Sequence, residues 1–446
     1  MRGFTISCVA LALASGSSAQ LNLDVSSQDS ISSAARAIAG SVVDLYKKTS
    51  DREGAIGVFG RPYYWWESGL AWNSLIGYWY LTGDAQYNDL ISESLLAQIG
   101  PNSDYMVPNI TNTEANDDQA TWALAALTAE EFNFPKPVSG PTTWQSLAVS
   151  VFNTQIARWD AETCAGGLRW QIFAFNNGYN YKNSFSAATF FQLAARLALQ
   201  TGNQTYADWA SQQYTWLNEI DLIDDRFRVF DGTEVTTNCS SVNHLQWSAN
   251  AGTLLHGAAA MYNMTSSPEW RSVVAGLLNS TASTFFEDNV MFEAACEPSG
   301  NCNTDQLAYK GILARAMALT SQLAPFTAST ISPLLRASAE GAAAACQNDI
   351  DGIVCGTSWT GGGLNGDEGL SQDISALEVV QANLIPRAAA PEGAAGTATT
   401  GGNETSTVTG PRGGTSSVVP TGEGNGVFVG VTSIVVLATL VVQMLV

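Results

Sequence analysis

The chain of 446 residues carries a formal net charge of −21. Such an acidic balance excludes nucleic acids and anionic membrane surfaces as expected partners, because both are bound through basic patches. The sequence has no CxxC spacing, and its two histidines are His244 and His256, so we expect no zinc site and no other cofactor. We also expect a monomer.

The first 19 residues predict a secretory signal peptide that is cleaved after Ala19. Arg2 precedes an apolar stretch from Phe4 to Ala14, and small residues follow it. Secretion leads into an oxidising compartment, where cysteines pair. Because Cys8 is removed with the signal, six cysteines remain, and spacing alone does not determine their connectivity. We favour two local loops and one long pair: Cys296–Cys302, Cys346–Cys355 and Cys164–Cys239.

The C-terminal part predicts a stalk followed by a GPI-anchor signal. Residues 387–426 are rich in Gly, Ala, Ser, Thr and Pro, which is typical of a disordered segment. Residues 427–446 form an apolar tail with no basic residue after it, as in a cleaved anchor signal. A plain tail anchor is the alternative. The attachment residue lies between Gly410 and Gly426, without a single best candidate.

Six Asn-x-Ser/Thr sequons agree with secretion, and each marks a surface position if it is used. They are Asn109, Asn203, Asn238, Asn263, Asn279 and Asn403. Together with the two terminal signals, they predict a secreted glycoprotein whose contact with the membrane is a lipid anchor alone.

The region from Gln20 to Pro386 contains a repeated unit. "YLTGDAQYNDLISESLL" (80–96) resembles "LQTGNQTYADWASQQYTWL" (199–217) and "YNMTSSPEWRSVVAGLL" (262–278). In each, a helix ends at a Thr, Gly or Ser turn, a polar residue caps the next helix, and an aromatic residue follows. The aromatic anchors recur about every sixty residues, which indicates repeated supersecondary units. They are Tyr87, Trp144, Tyr206 and Trp270.

Periodicity between these anchors predicts two helices per unit. The predicted helices span 28–49, 66–81, 84–98, 116–131, 142–158, 183–201, 204–218, 244–263, 267–286, 303–321, 325–345 and 370–384. Every second member, starting with 66–81, is apolar all round and is therefore expected to be buried, whereas the others have a polar face. Six inner and six outer helices predict an all-α fold, an (α/α)6 barrel. An open solenoid would fit the repeat but would leave the apolar helices partly exposed.

In such a barrel the inner helices run parallel, so the segments before them gather at one end. These junctions concentrate Trp, Tyr, Asn, Gln and acidic residues: "RPYYWWESG" (61–69), "EANDDQ" (114–119), "NNGYNYKNSF" (176–185), "SSVNHLQWS" (240–248), "GNCNTDQLAYKG" (300–311) and "NGDEGLSQD" (365–373). Aromatic rings stack on sugars, and amides and carboxylates bind hydroxyls, so the convergence favours a carbohydrate cleft. The alternative is that these residues only cap helices and fill gaps.

Two adjacent carboxylates, Asp117 and Asp118, stand at the start of the inner helix 116–131. One aspartate suffices to cap a helix, and a second one beside it is repelled by the first. Carboxyl groups about 5–5.5 Å apart serve a retaining glycosidase as nucleophile and acid/base. Their mutual repulsion keeps one of them protonated. A second pair, Asp224–Asp225, lies in a polar loop and is interpreted as a solvated turn.

The sequence resembles glycoside hydrolase family 76, the α-1,6-mannanases, and its fungal GPI-anchored cell-wall members in particular. The resemblance rests on "NDDQ" (116–119), "YYWWESGLAWNSLIGYWYLTGD" (63–84), "LRWQ" (168–171) and "YKG" (309–311). It implies an (α/α)6 barrel and a retaining endo-acting enzyme with Asp117 as nucleophile and Asp118 as acid/base. It also implies α-1,6-linked mannosides as substrates, the mannose core of a GPI anchor among them, and wall glucan as a possible acceptor.

Further candidates for substrate binding surround the pair: Trp65, Trp66, Asn116, Gln119, Trp122, Arg169, Trp170, Asn183, His244, Asp305 and Lys310. Each has a structural alternative. The tryptophans could belong to the core, the two residues flanking the acidic pair could be caps, and Arg169 could form a salt bridge. Lys310 is expected to neutralise a nearby acid, and His256 is expected in the core.

Two other functional classes remain open at this point. An (α/α)6 glycosidase that inverts configuration would need its carboxyl groups about 6.5–9.5 Å apart and could act on another glycan. A non-catalytic protein of the cell wall could bind mannan through the same aromatic cleft.

Overall fold

In the part of the chain that the structure describes, twelve α-helices alternate between an inner and an outer layer. The structure is a computed structural model that describes residues 20–50, 55–108, 110–137, 142–349, 352–364, 366 and 368–393. The inner helices are α2 (Trp65–Thr82), α4 (Asn116–Glu131), α6 (Ser184–Thr201), α8 (Ser248–Thr265), α10 (Tyr309–Leu323) and α12 (Leu370–Ala382). The outer helices are α1 (Gln28–Ser50), α3 (Asn88–Ala97), α5 (Trp144–Ala157), α7 (Gln204–Glu219), α9 (Pro268–Thr284) and α11 (Ala328–Ala344).

The inner helices close into a ring. Each packs against the next in the series α2, α4, α6, α8, α10 and α12, and α12 packs against α2. The outer helices cover this ring, each against a chain neighbour. The closure confirms the predicted (α/α)6 barrel and is incompatible with an open solenoid. Helices that are apolar on every side can be buried in this way because both layers cover them.

The repeated Thr-Gly turns have a clear structural reason. Gly83 and Gly202 follow α2 and α6 with φ of 74° and 68°, a left-handed conformation that glycine adopts without steric cost. The next helix begins at a polar cap, as where Ser267 accepts hydrogen bonds from the first turn of α9 and Pro268 occupies its first position. These local signals produce the inner-to-outer connections at regular intervals.

Seven short strands stand between the helices of the described residues. The strands β1 (Tyr181–Asn183), β2 (Gly232–Glu234) and β3 (Val242–Asn243) form an antiparallel sheet in that order. The others form two hairpins, β4 (Phe286–Glu287) with β5 (Val290–Met291), and β6 (Cys346–Asp349) with β7 (Gly352–Cys355). The three-stranded sheet lies at the start of α6, so it belongs to the end of the barrel where the inner helices begin.

Several predicted helix boundaries are wrong, and local pairing explains the largest errors. The helix predicted from 244 begins at Ser248, because Val242–Asn243 pairs with β2 instead of entering the helix. The helix predicted from 303 begins at Tyr309, after a 3-10 turn at Gln306–Ala308. α3 begins at Asn88, not at 84.

All three predicted disulfides are present in the structure: Cys164–Cys239, Cys296–Cys302 and Cys346–Cys355. The last of these closes the hairpin of β6 and β7, as expected for a local loop. The other two tie loops that precede or flank inner helices, and so they fix the end of the barrel that carries the junctions.

The chain after α12 covers the opposite end of the barrel. Gln322 Nε2 donates to the carbonyl of Ile385 at 3.2 Å, Tyr80 donates to the carbonyl of Ala389, and the N–H of Glu392 donates to the carbonyl of Glu131 at 2.8 Å. These partners lie near the C-terminal ends of inner helices. Residues 387–393, the beginning of the predicted stalk, therefore contact the barrel.

The predicted signal peptide, the anchor signal and most of the stalk lie outside the described residues, as do the sequons at Asn109 and Asn403. Asn203, Asn238 and Asn279 are exposed, whereas the half-buried Asn263 donates a hydrogen bond to the carbonyl of Leu323. Among the described residues, no helix combines the length and the apolar composition that crossing a membrane requires.

Candidate active site

A cleft of about 310 Å³ opens at the end of the barrel where the inner helices begin. Five inner helices contribute their first residues or the residues just before them. The lining residues are Trp66, Asp117, Asp118, Trp170, Tyr181, Asn183, Phe185, Asp231, Trp247, Asn250, Asp305, Gln306 and Tyr309. The predicted convergence of aromatic, amide and acidic side chains at this end is therefore present.

The start of α4 is held in place by the "LRWQ" segment. The N–H of Asn116 donates to the carbonyl of Trp170 at 2.9 Å, and its Nδ2 donates to the carbonyl of Arg169 at 2.8 Å. Arg158 donates to Asn116 Oδ1 at 2.9 Å and to Gln119 Oε1 at 2.7 Å. Both side chains are buried, so the prediction that Asn116 and Gln119 bind substrate is wrong. They fix the helix end that carries the acidic pair.

Asp117 lies at the base of the cleft, where three hydrogen-bond donors surround its carboxyl group. Its Oδ2 accepts hydrogen bonds from Ser186 Oγ at 2.8 Å and from Asn183 Nδ2 at 3.2 Å. Its Oδ1 accepts the N–H of Asp118 at 3.0 Å. Burial raises the pKa of Asp117 to about 6, and these three donors limit the increase because they favour the charged form.

Asp118 is half-buried beside Asp117 and has a different environment. Its Oδ2 accepts the backbone N–H of Ala115 at 2.8 Å. Burial and the neighbouring Asp117 charge raise the pKa of Asp118 well above its ordinary value. The first proton is therefore lost from Asp117, and Asp118 keeps its proton to higher pH.

Asp305 and Trp66 form a third polar feature of the cleft. Trp66 Nε1 donates to Asp305 Oδ1 at 3.0 Å, which orients both side chains. Burial raises the pKa of Asp305, and its charge in turn adds to the rise at Asp117 and Asp118. The structure thus brings together six of the residues singled out in the sequence: Asp117, Asp118, Trp66, Trp170, Asn183 and Asp305.

Aromatic rings form a continuous part of the wall. The ring centroids of Trp66 and Phe185 are 6.5 Å apart, those of Phe185 and Tyr309 are 6.1 Å apart, and those of Trp247 and Tyr309 are 5.9 Å apart. Phe185, Trp247 and Tyr309 lie within the predicted junctions but are not among the predicted binding residues. Ring faces of this kind suit the apolar faces of sugar rings.

Asp231 is the most important residue that the sequence did not reveal. Its Oδ2 accepts the hydroxyl of Tyr181 at 2.6 Å and the Nδ2 of Asn243 at 2.9 Å. Its Oδ1 accepts Nε1 of Trp247 at 2.8 Å. Asp231 precedes β2, in a loop that follows an outer helix, and the sheet brings it to the cleft. No local pattern in the sequence indicates this.

The prediction that Trp65 and Trp122 stack on sugar is wrong. Trp122 is fully buried and Trp65 nearly so, and their rings stack on each other with centroids 5.0 Å apart. Trp65 Nε1 donates to Gln98 Oε1 at 2.9 Å in the interior. Because consecutive residues on a helix point about 100° apart, Trp66 faces the cleft while Trp65 faces the core.

Arg169, Lys310 and His244 are also outside the cleft. Arg169 pairs with Asp160 at 2.9 Å on the side of the segment opposite to Trp170, because side chains alternate along extended chain. Lys310 is buried and pairs with Glu297 at 2.6 Å, so it neutralises an acid as expected but does not reach the cleft. His244 is exposed before α8 begins. The substrate-binding prediction for the buried Lys310 is therefore wrong, whereas those for Arg169 and His244 remain predictions for positions outside this cleft.

Two further expectations agree with the structure. His256 is buried in α8 and its Nδ1 lies 2.8 Å from Gln192 Nε2, as expected for a core histidine. Asp224 accepts hydrogen bonds within an exposed loop and pairs with Arg228 at 2.6 Å, in a solvated turn.

A closed (α/α)6 barrel with paired carboxyl groups among aromatic rings has the features of a glycoside hydrolase. The family model of glycosyl hydrolase family 76 matches residues 30–395, and the chain belongs to this family. The match confirms the resemblance found in the sequence and the prediction that the protein is a glycoside hydrolase.

Named fungal proteins are similar over most of their length. A putative mannan endo-1,6-alpha-mannosidase of Schizosaccharomyces pombe is 46% identical, covering 82% of this chain and 83% of its own. The mannan endo-1,6-alpha-mannosidase DFG5 of Saccharomyces cerevisiae is 44% identical, covering 83% and 81%. The crystal structure of Dfg5 from Chaetomium thermophilum in complex with glucosamine is 41% identical with a TM-score of 0.79, covering 82% of this chain and 93% of that one.

Proposed function

We propose that the protein is a retaining, endo-acting enzyme on α-1,6-mannosidic linkages, with Asp117 as nucleophile and Asp118 as acid/base. The observation that carries the proposal is the unequal environment of the two carboxyl groups at the base of an aromatic cleft. Three hydrogen-bond donors favour the charged form of Asp117. Asp118 has a strongly raised pKa. A retaining glycosidase needs this division of protonation states.

In the first step, Asp118 gives its proton to the glycosidic oxygen as the bond to the anomeric carbon breaks. A carboxylate oxygen of Asp117 attacks the same carbon and forms a covalent mannosyl ester. The charge of Asp117 is then lost, so the repulsion that kept Asp118 protonated also disappears. The pKa of Asp118 falls, and this carboxylate becomes a base for the second step.

In the second step, Asp118 removes a proton from the incoming hydroxyl group as its oxygen attacks the anomeric carbon and the ester to Asp117 breaks. Both carboxyl groups return to their initial states, and the configuration is retained. Water as the acceptor gives hydrolysis, and a sugar hydroxyl gives transfer. The outcome depends on how well the cleft binds an acceptor and excludes water.

The relatives support a mannoside as the substrate. The Saccharomyces cerevisiae relative is named a mannan endo-1,6-alpha-mannosidase, and the Schizosaccharomyces pombe relative a putative one. An inactive variant of a Salegentibacter α-1,6-mannanase with the same fold has been solved with α-1,6-mannotetrose, at 17% identity and a TM-score of 0.62, covering 78% of this chain and 98% of that one. We propose that this protein acts on α-1,6-linked mannosides, including the GPI-anchor glycan, and that wall glucan can serve as acceptor. We propose secretion and GPI anchoring at the plasma membrane or cell wall.

The experiment is incubation with a defined α-1,6-mannoside and with a GPI-core glycan, followed by mass spectrometry of hydrolysed and transferred products. Asp117→Asn and Asp118→Asn should each remain folded and lose turnover. A retained rate in either variant would contradict the assigned roles. NMR of the first-formed anomer separates retention from inversion, and binding without any turnover by the unchanged protein would favour a mannan-binding role.

A further inference from the structure

The loop that joins Trp170 to β1 carries an aromatic pair, the half-buried Phe173 and the exposed Phe175. Phe175 is 71% exposed, and its ring stacks on that of Phe173 with centroids 5.4 Å apart and an angle of 15° between the planes. Single exposed apolar residues are common, so Phe175 is informative only because its ring stacks on a second one and its loop begins at Trp170, which lines the cleft.

Hydrogen bonds and close packing hold this loop. Asn176 Nδ2 donates to Gln171 Oε1 at 3.0 Å and to the carbonyl of Asn112 at 2.9 Å. The N–H of Asn176 donates to the carbonyl of Phe173, also at 3.0 Å. A Cβ added to Gly178 would lie 2.3 Å from Trp170 Cε3, so the loop backbone lies directly against this indole. The aromatic pair is therefore placed before any ligand arrives, which lowers the entropy cost of binding.

The loop that carries the pair adjoins the cleft at both ends, because Trp170 and Tyr181 line the cleft. Gly178 covers one side of the Trp170 indole, while Trp170 is 36% exposed and lines the cleft. The loop that packs on this indole also carries Phe173 and Phe175. A glycan that extends from the cleft past Trp170 would meet the aromatic pair next.

The composition of the segment indicates a neutral ligand. Residues 170–181, "WQIFAFNNGYNY", contain no charged residue although the chain carries a formal charge of −21. A membrane surface with anionic lipids would need basic residues here. Exposed rings flanked by amides suit a pyranose, whose apolar face packs on the ring while its hydroxyls bind amides.

We propose that Phe173 and Phe175 form an additional sugar subsite outside the cleft, which takes a neutral hexopyranose unit of a glycan that extends from the cleft. The proposal rests on the proposed function, because it assumes that the cleft holds the adjoining sugars. It predicts that affinity increases with chain length and that this increase depends on Phe175.

The test is calorimetric titration of a variant carrying both Asp117→Asn and Asp118→Asn, so that no substrate is consumed. The ligands are α-1,6-mannobiose, α-1,6-mannohexaose and a β-linked gluco-oligosaccharide. Adding Phe175→Ala should weaken binding of a long ligand roughly fivefold and leave mannobiose unchanged. Ile56→Ala, which truncates another exposed apolar side chain, should change neither.

The outcomes separate the two proposals. A loss of affinity for mannohexaose but not for mannobiose supports the subsite and identifies a donor chain. A loss of affinity for the gluco-oligosaccharide supports the subsite and identifies an acceptor chain. Equal weakening of all three ligands by Phe175→Ala, or no weakening of any, overturns the subsite. An effect of Phe175→Ala that is confined to binding of uncharged lipid vesicles or to self-association would overturn it as well. If the unmodified protein cleaves no mannoside but the length-dependent loss remains, the subsite stands and the enzymatic proposal fails. Should the double variant not fold, the length dependence of KM in the active protein replaces the titration.

Discussion

Ser186→Ala should shift the pH dependence of the reaction, because Ser186 Oγ donates to Asp117 Oδ2 at 2.8 Å. A hydrogen bond to a charged group contributes about 1.5–3 kcal/mol, and one pKa unit corresponds to about 1.4 kcal/mol. Removing the donor favours the protonated form of Asp117. Its pKa should therefore rise from about 6 by roughly one to two units.

The assay is the pH profile of kcat/KM on an α-1,6-mannoside, which reports the ionisations of the free enzyme. Activity requires ionised Asp117 and protonated Asp118, so the acidic limb of the bell should follow Asp117 and move to higher pH. Ser184→Ala is the matched control, because Ser184 is equally buried in the first turn of α6 but donates to the carbonyl of Phe230. An unchanged acidic limb, or an equal shift in Ser184→Ala, would contradict the role of the Ser186 hydrogen bond in lowering the pKa of Asp117.

Gly178→Ala should turn Trp170, because the new Cβ would lie 2.3 Å from Cε3, and KM for oligosaccharides should rise roughly fivefold with a smaller change in kcat. Gly363 has φ 87°, and a Cβ added there would meet no neighbouring atom within 4 Å, so Gly363→Ala introduces the same backbone strain and should leave KM unchanged. Equal KM values in the two variants would count against a role for Trp170. Burial raises the pKa of Glu67 to about 7, so the free energy of unfolding of the protein decreases as the pH rises from about 4.5 to 7. Between pH 4 and pH 8, the free energy of unfolding of Glu67→Gln in urea should therefore increase by roughly 3 kcal/mol relative to that of the unmodified protein. Parallel pH profiles of the two proteins would contradict this.

The barrel could be predicted because its signals are local and repeated. Apolar composition on all sides of alternate helices, with glycine ends such as Gly83 and Gly202, determines two layers and regular connections. The predicted helix boundaries are less accurate where a few residues pair with a strand instead of extending a helix. Val242 and Asn243 join a strand supplied by a distant segment, and sequence periodicity does not record that partner.

The candidate site was predictable to the level of the junctions and not to the level of each side chain. Asp117 and Asp118 stood out because a second carboxylate has no capping role. Trp65 and Trp66 are adjacent and of the same type, and packing alone decides that one stacks on a core indole while the other bonds a cleft carboxylate. Asp231 enters the cleft through tertiary contacts made by the sheet, so its role required the structure.

The most direct test of the central claim is to trap the covalent intermediate. The protein would be incubated with an activated 2-fluoro-mannosyl substrate, which slows the second step, then quenched with acid, digested and mapped by mass spectrometry. We expect one mannosyl unit on the peptide that contains Asp117, attached to that side chain. A labelled peptide elsewhere in the chain, or turnover without any adduct and with inverted product, would contradict it.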